Sequence, residues 1–84
     1  MRTFFLNIIS LEKRIYFGFV QKIQVTGFYG NLEIFPRHVS FLTLVKSGKV
    51  FFVQKNGDKK YIYLTGGILE VYNDVVTILS EVSI

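Results

Sequence analysis

Turn signals punctuate this chain too often for anything but short strands. Asn56-Gly57-Asp58 separates two largely apolar runs, Lys49 to Lys55 and Lys60 to Thr65. Asn-Gly in that setting is the strongest short-range hairpin signal, because a tight I′ turn needs φ > 0 at its central residues. Gly66-Gly67 marks the next reversal, and Asn73-Asp74 divides Ile68 to Tyr72 from Val75 to Leu79 in the same way. Turns return about every 8–12 residues, which is the rhythm of a sandwich or barrel. No stretch sustains a helical apolar period, and alanine, the best helix former, is absent. The fold class is therefore read as all-β: a small two-sheet β-sandwich or flattened barrel of short, mostly antiparallel strands.

The apolar phase adds one detail to this picture. Phe4, Leu6 and Ile8 alternate with Phe5, Asn7 and Ile9, so a first strand buries one face and half-buries the other. Leu11-Glu12-Lys13-Arg14 is a polar reversal. From Ile15 to Val25 the phase slips: Tyr16, Gly18 and Val20 share one parity, Ile23 and Val25 the other. A one-residue slip swaps faces, so this strand must bulge or bend, near Gln21-Lys22, between two packed sheets.

Eighty-four residues make a single domain, 1–84, and half of them are hydrophobic, with nine Phe among them. That content excludes an intrinsically disordered chain. The longest apolar runs fall far short of the roughly 20 residues that cross a bilayer, and Asn7 and Ser10 interrupt the N-terminal one, so neither a span nor a signal peptide is expected. With no cysteine there is no disulfide, thiolate ligand or Cys nucleophile. The formal charge of +4 favours anionic partners in principle, but Lys13-Arg14 and Lys59-Lys60 are the only adjacent basic pairs.

Catalytic chemistry has little to draw on. His38 is the sole imidazole, and the acids Glu12, Glu33, Asp58, Glu70, Asp74 and Glu81 show no paired or calcium-loop spacing. Gly66-Gly67 lacks the lysine and hydroxyl of a phosphate loop. No catalytic residue, metal site or cofactor is expected, and the chain is read as a non-enzyme. Function is placed instead in Val25 to Thr43, which holds Gly27, Gly30, the only proline and the only histidine. Pro36 has no backbone donor and belongs at an edge or in a loop. Phe28, Tyr29, Phe35, Val39 and Phe41 crowd this irregular segment, and whatever apolar surface the core does not absorb implies a partner.

Within that segment the order Gly30, Leu32, Ile34, Pro36, His38 resembles the signature of the epsilon subunit of F-type ATP synthases. Gly18 and the run Val20 to Gly27 fit upstream. Leu42-Thr43, Lys46 with Gly48, Tyr63 to Val71 and Val76 to Leu79 follow in the family's order, so the likeness covers essentially the whole chain. The chain departs from the family pattern at Glu33 and Arg37, where Gly is common, at Ser40, where Pro is common, and at Asn31, where an acid is common. A side chain forced into φ > 0 at either Gly position would cost roughly 1 kcal/mol.

The resemblance implies a non-catalytic rotor subunit of a proton-translocating enzyme, coupling proton flow to ATP synthesis. Its partners would be the gamma subunit and the c-ring, with no nucleic acid and no homo-oligomer. Its place would be peripheral, on the cytoplasmic face of the bacterial inner membrane. Carried onto this sequence, the c-ring-facing residues are Ser10, Phe28, Tyr29, Gly30 and Asn31; the gamma-facing residues are His38, Val39, Ser40, Phe41, Leu42 and Thr43. Asn31 in place of the acid would remove a rim ion pair worth about 0–1 kcal/mol. The family's C-terminal helical hairpin has no counterpart in the sequence, so its braking role is not expected. The alternative reading is a single-stranded nucleic-acid-binding OB-like module using Phe51, Tyr61 and Tyr63 as stacking platforms. Against it, the basic residues are not expected to interleave with those aromatics on one strand face.

Overall fold

A computed structural model describes residues 2–80, and all regular structure in them is β. The strands are β1 (Phe4–Ser10), β2 (Arg14–Gly27), β3 (Gly30–Ile34), β4 (Phe41–Val45), β5 (Gly48–Gln54), β6 (Lys59–Leu64), β7 (Gly67–Tyr72) and β8 (Val75–Ser80). They hydrogen-bond in the order β1-β8-β7-β4-β2-β5-β6, with β3 added to β2 and a further pairing of β1 with β2. All pairings are antiparallel except β1 with β8.

β2 makes this one connected body. Its first half, Arg14 to Val20, pairs β1; its second half lies between β3 and β5. The register against β5 shifts between Val20 and Lys22, where the apolar phase of the sequence slips. The inserted residue turns the strand from one sheet into the other and keeps Val20, Ile23 and Val25 all pointing inward. At 14 residues β2 is longer than the short strands expected, because it serves both sheets. A larger sheet (β4, β7, β8, β1 and the first half of β2) faces a smaller one (β3, the second half of β2, β5 and β6). A bridge from Gly27 to Val45 joins them again at the far side, which gives a flattened barrel.

The interior is aliphatic with two phenylalanines. Phe4, Leu6 and Ile8 of β1, Leu69 and Val71 of β7, and Val76 and Ile78 of β8 meet Ile34, Val50, Phe52 and Leu64 from the smaller sheet. Burying each such side chain contributes about 1.5–3 kcal/mol. The turns lie where the sequence places them, but of Asn56-Gly57 only Gly57 (φ 94) is left-handed, so that turn is not the I′ form. Asn73 (φ 53) and Asp74 (φ 62) both adopt left-handed conformations, the I′ geometry expected of a two-residue hairpin. Around Asn56-Gly57-Asp58, the Gly57 N–H donates to the Gln54 carbonyl (2.9 Å), and the Asp58 N–H donates to the Asn56 side chain (2.9 Å).

The two departures from the family's glycines have different consequences. Glu33 sits in β3 with ordinary backbone, whereas Arg37 is held at φ 67.

Candidate functional site

Ladder pairing places the expected c-ring residues at one end of the sandwich. Ser10 pairs Ser80, Ser80 pairs Gly67, Gly67 pairs Val45, Val45 pairs Gly27, and Gly27 pairs Gly30. The β1–β2 turn and the β2–β3 turn therefore share an end, although they are far apart in sequence. Tyr29 is fully exposed there, and Phe28 is exposed with the Lys46 ammonium 5.7 Å from its ring centre. Asn31 follows in β3, its side-chain oxygen 3.4 Å from the Thr26 hydroxyl.

Ser10 has a local task. Its backbone N–H donates to the Lys13 carbonyl (2.9 Å), and its hydroxyl accepts from the N–H groups of Glu12 (3.3 Å) and Lys13 (3.2 Å). The serine thus shapes the turn, and the tip it presents is Leu11, 89% exposed. Sequence reasoning passed over Leu11 as part of a polar reversal. Its signal was a large apolar residue inside a turn, where nothing in the fold can cover it.

The expected gamma-facing residues are spread over two places. His38, Val39 and Ser40 lie in the β3–β4 loop at the opposite end, where the Arg37 N–H donates to the Asp74 carboxylate (2.7 Å). His38 is half-buried, its ring 5.2 Å from that of Phe41, and Val39 is exposed. In β4 alternation divides the rest. Phe41 and Thr43 share the inward parity of buried Val45, and Phe41 packs on the core. Of Phe41, Leu42 and Thr43, only Leu42 points outward.

Leu42 opens onto a surface that the sequence reading did not assemble. Residues paired across a ladder point to the same side. One outward row of the larger sheet reads Phe19, Phe5, Val75, Tyr72. The next is Phe17, Asn7, Thr77, Glu70, Leu42, and a third is Arg14, Ile9, Leu79, Ile68, Leu44. Phe17, Phe19, Leu42, Leu44, Ile68, Tyr72, Val75 and Leu79 are all exposed. An antiparallel sheet that faces water carries polar residues there; this one carries two charges within the three rows, Glu70 and, at the margin, Arg14, whose guanidinium lies 4.6 Å from the Phe17 ring centre. The legible signal was doubled apolar pairs such as Phe4-Phe5, Ile68-Leu69 and Ile78-Leu79, which put an apolar residue on both faces of a strand. A groove lined by Phe28, Tyr29, Leu42, Thr43 and Leu44 joins this face to the end that carries Tyr29.

The smaller sheet differs in chemistry. On its outer face the Lys49 ammonium lies 4.4 Å from the ring centre of Tyr61 and 5.7 Å from that of Tyr63. The expectation that basic residues do not interleave with these aromatics is thereby corrected. β5 and β6 run side by side, and pairing of Lys49 with Tyr63 brings together residues that are distant in sequence. Among the described residues no group of three His, Asp or Glu side chains gathers where a metal ion could sit.

The chain is thus a small β-sandwich with a largely apolar outer sheet face and an exposed aromatic turn. Residues 3–84 match the family described as ATP synthase, Delta/Epsilon chain, beta-sandwich domain, and the chain belongs to that family. Its fold is also that of chains in two solved assemblies. One is a Euglena gracilis mitochondrial ATP synthase structure comprising OSCP, F1 and c-ring (TM-score 0.91, 18% identity, 98% of this chain and 52% of that one). The other is the central stalk and c-ring of the Tetrahymena thermophila mitochondrial ATP synthase (TM-score 0.78, 14% identity, 95% of this chain and 64% of that one). The chain thus spans between half and two thirds of the length of these structural relatives.

Proposed function

We propose that residues 1–84 form the β-sandwich domain of a non-catalytic rotor subunit of a proton-translocating F-type ATP synthase. In this reading the domain clamps the gamma shaft to the c-ring, so that ring rotation driven by proton flow turns the shaft. It holds no cofactor and does no chemistry itself. It is peripheral to the membrane through the complex, on the cytoplasmic face of a bacterial inner membrane.

The observation that carries the proposal is the meeting of two uncovered surfaces on a closed sheet. Phe28, Tyr29, Gly30 and Asn31, with Leu11 on the turn built by Ser10, form the c-ring end. Leu42 and the apolar outer face of the larger sheet form the gamma surface, which His38, Val39 and Ser40 extend along the β3–β4 loop, with Phe41 and Thr43 supporting it from inside. Shared hydrogen bonds around the barrel make the block stiff, and a part that transmits torque between two interfaces needs that stiffness. A gamma interface of ordinary size buries about 1,200–2,000 Å², which one sheet face of this domain can supply as its half.

Co-expression of the tagged chain with the gamma subunit of the same organism tests the reading. Stoichiometric co-purification that survives high salt supports an apolar docking face. Recovery of the folded chain alone would contradict it.

A further inference from the structure

The β5–β6 hairpin lies on the sheet opposite the proposed gamma surface and has a character of its own. Residues 48–64 contain four lysines, Lys49, Lys55, Lys59 and Lys60, against one acid, Asp58. Asp58 is engaged within its own turn, receiving the Asn56 side-chain amide at 3.1 Å. Among the described residues the one ion pair is Lys22 with Glu33 at 4.0 Å, so the hairpin lysines carry uncompensated charge. Among the described residues Glu33 is the only carboxylate on this outer face, and Lys22 and the Gln24 amide already hold it. Lys49 rests on Tyr61 and Tyr63, whose rings meet edge to face at 5.7 Å, and both tyrosines are about half exposed. A cation held over an aromatic face keeps a fixed position, and it can still receive an anion from the solvent side.

Among the described residues β6 is also the last strand of the order and pairs only with β5. Its free edge displays both N–H and C=O groups. We propose that this edge and its Lys49–Tyr61–Tyr63 face take an acidic, extended peptide segment of a partner protein, added as a further strand. Charge decides among the candidate occupants. A second copy of the edge would bring another net-positive hairpin alongside this one, and like charge brought together without compensation is destabilising. Phosphates of lipid or nucleic acid would satisfy the lysines but offer acceptors only, leaving the edge carbonyls unpaired. A peptide backbone supplies both donors and acceptors, and alternate acidic side chains would reach Lys49 and Lys59 on the outer face. This binding is independent of the rotor assignment, since it uses the other sheet.

The test is a titration of the 84-residue chain with a labelled peptide alternating Glu and Thr, read by fluorescence anisotropy and by amide NMR shifts. Saturable binding is expected, with the largest shifts in β6. Lys49→Glu is expected to weaken it by about tenfold or more at unchanged melting temperature, because a rim attraction becomes a repulsion. The same peptide methylated on alternate backbone nitrogens is expected to bind more weakly, since it cannot donate to the edge carbonyls. Absence of binding, shifts confined to the larger sheet, or equal affinity for the methylated peptide would overturn the proposal. So would tighter binding of an oligothymidylate or of phosphatidylglycerol vesicles than of the acidic peptide.

Discussion

The backbone N–H of Arg37 donates to the carboxylate of Asp74 at 2.7 Å, tying the β3–β4 loop to the β7–β8 turn. The Asp74 carbonyl in turn accepts from the Phe5 N–H at 3.0 Å, so one turn residue secures both the loop that carries His38 and the entry to β1. Asp74 does this from φ 62, a conformation that Asn also tolerates. Asp74→Asn is expected to change unfolding free energy by less than about 0.5 kcal/mol, since it keeps an acceptor and the turn. Asp74→Gly should lose only the side-chain acceptor, about 1 kcal/mol, and Asp74→Ala should lose both, about 2 kcal/mol. Urea denaturation of the three variants checks the order.

Arg37 and Glu33 provide a paired test of backbone strain. Arg37→Gly relieves a left-handed residue and is expected to stabilise the domain by up to about 1 kcal/mol. Glu33→Gly places glycine inside a strand and removes the partner of Lys22, so a loss of about 0.5–1 kcal/mol is expected. Opposite signs in one denaturation series would separate the two positions, which the sequence alone presents as equivalent.

Gly67 tests how closely the larger sheet is packed. A Cβ built there would stand 2.0 Å from the Leu79 carbonyl oxygen, a distance at which the β7 and β8 backbones must part. Gly67→Ala is expected to destabilise by about 3 kcal/mol or more, beyond ordinary overpacking. The same pairing row runs through Ser80 and Ser10, so the β1–β2 turn should loosen as well. Hydrogen exchange at Lys13 would register that loosening.

Local signals gave the turns and the bend of β2 because each depends on a few adjacent residues. Gly57 and the pair Asn73-Asp74 take left-handed φ values that their residue types tolerate, and the slip from Val20 to Ile23 requires a bulge or a bend. The apolar face needed strand order. Phe19, Phe5, Val75 and Tyr72 form a row only once β1 lies between β2 and β8, and a parallel pairing of the first strand with the last leaves no mark in either. The mixed parity of Phe41 to Thr43 was available from alternation alone, but only after the strand's inward phase was fixed by Val45. Lys49 over Tyr61 and Tyr63 is likewise a cross-strand fact.

Leu42 and the sheet face it borders are proposed to bind gamma. Calorimetric titration of gamma with the wild-type chain and with Leu42→Asp and Ile68→Asp tests it most directly, with melting temperatures measured alongside. Both positions are exposed, so the folded domain tolerates the substitutions, whereas an interface that buries an unpaired carboxylate loses several kcal/mol. Affinity is expected to fall about a hundredfold or more with melting temperature unchanged. Wild-type affinity in both folded variants would contradict it.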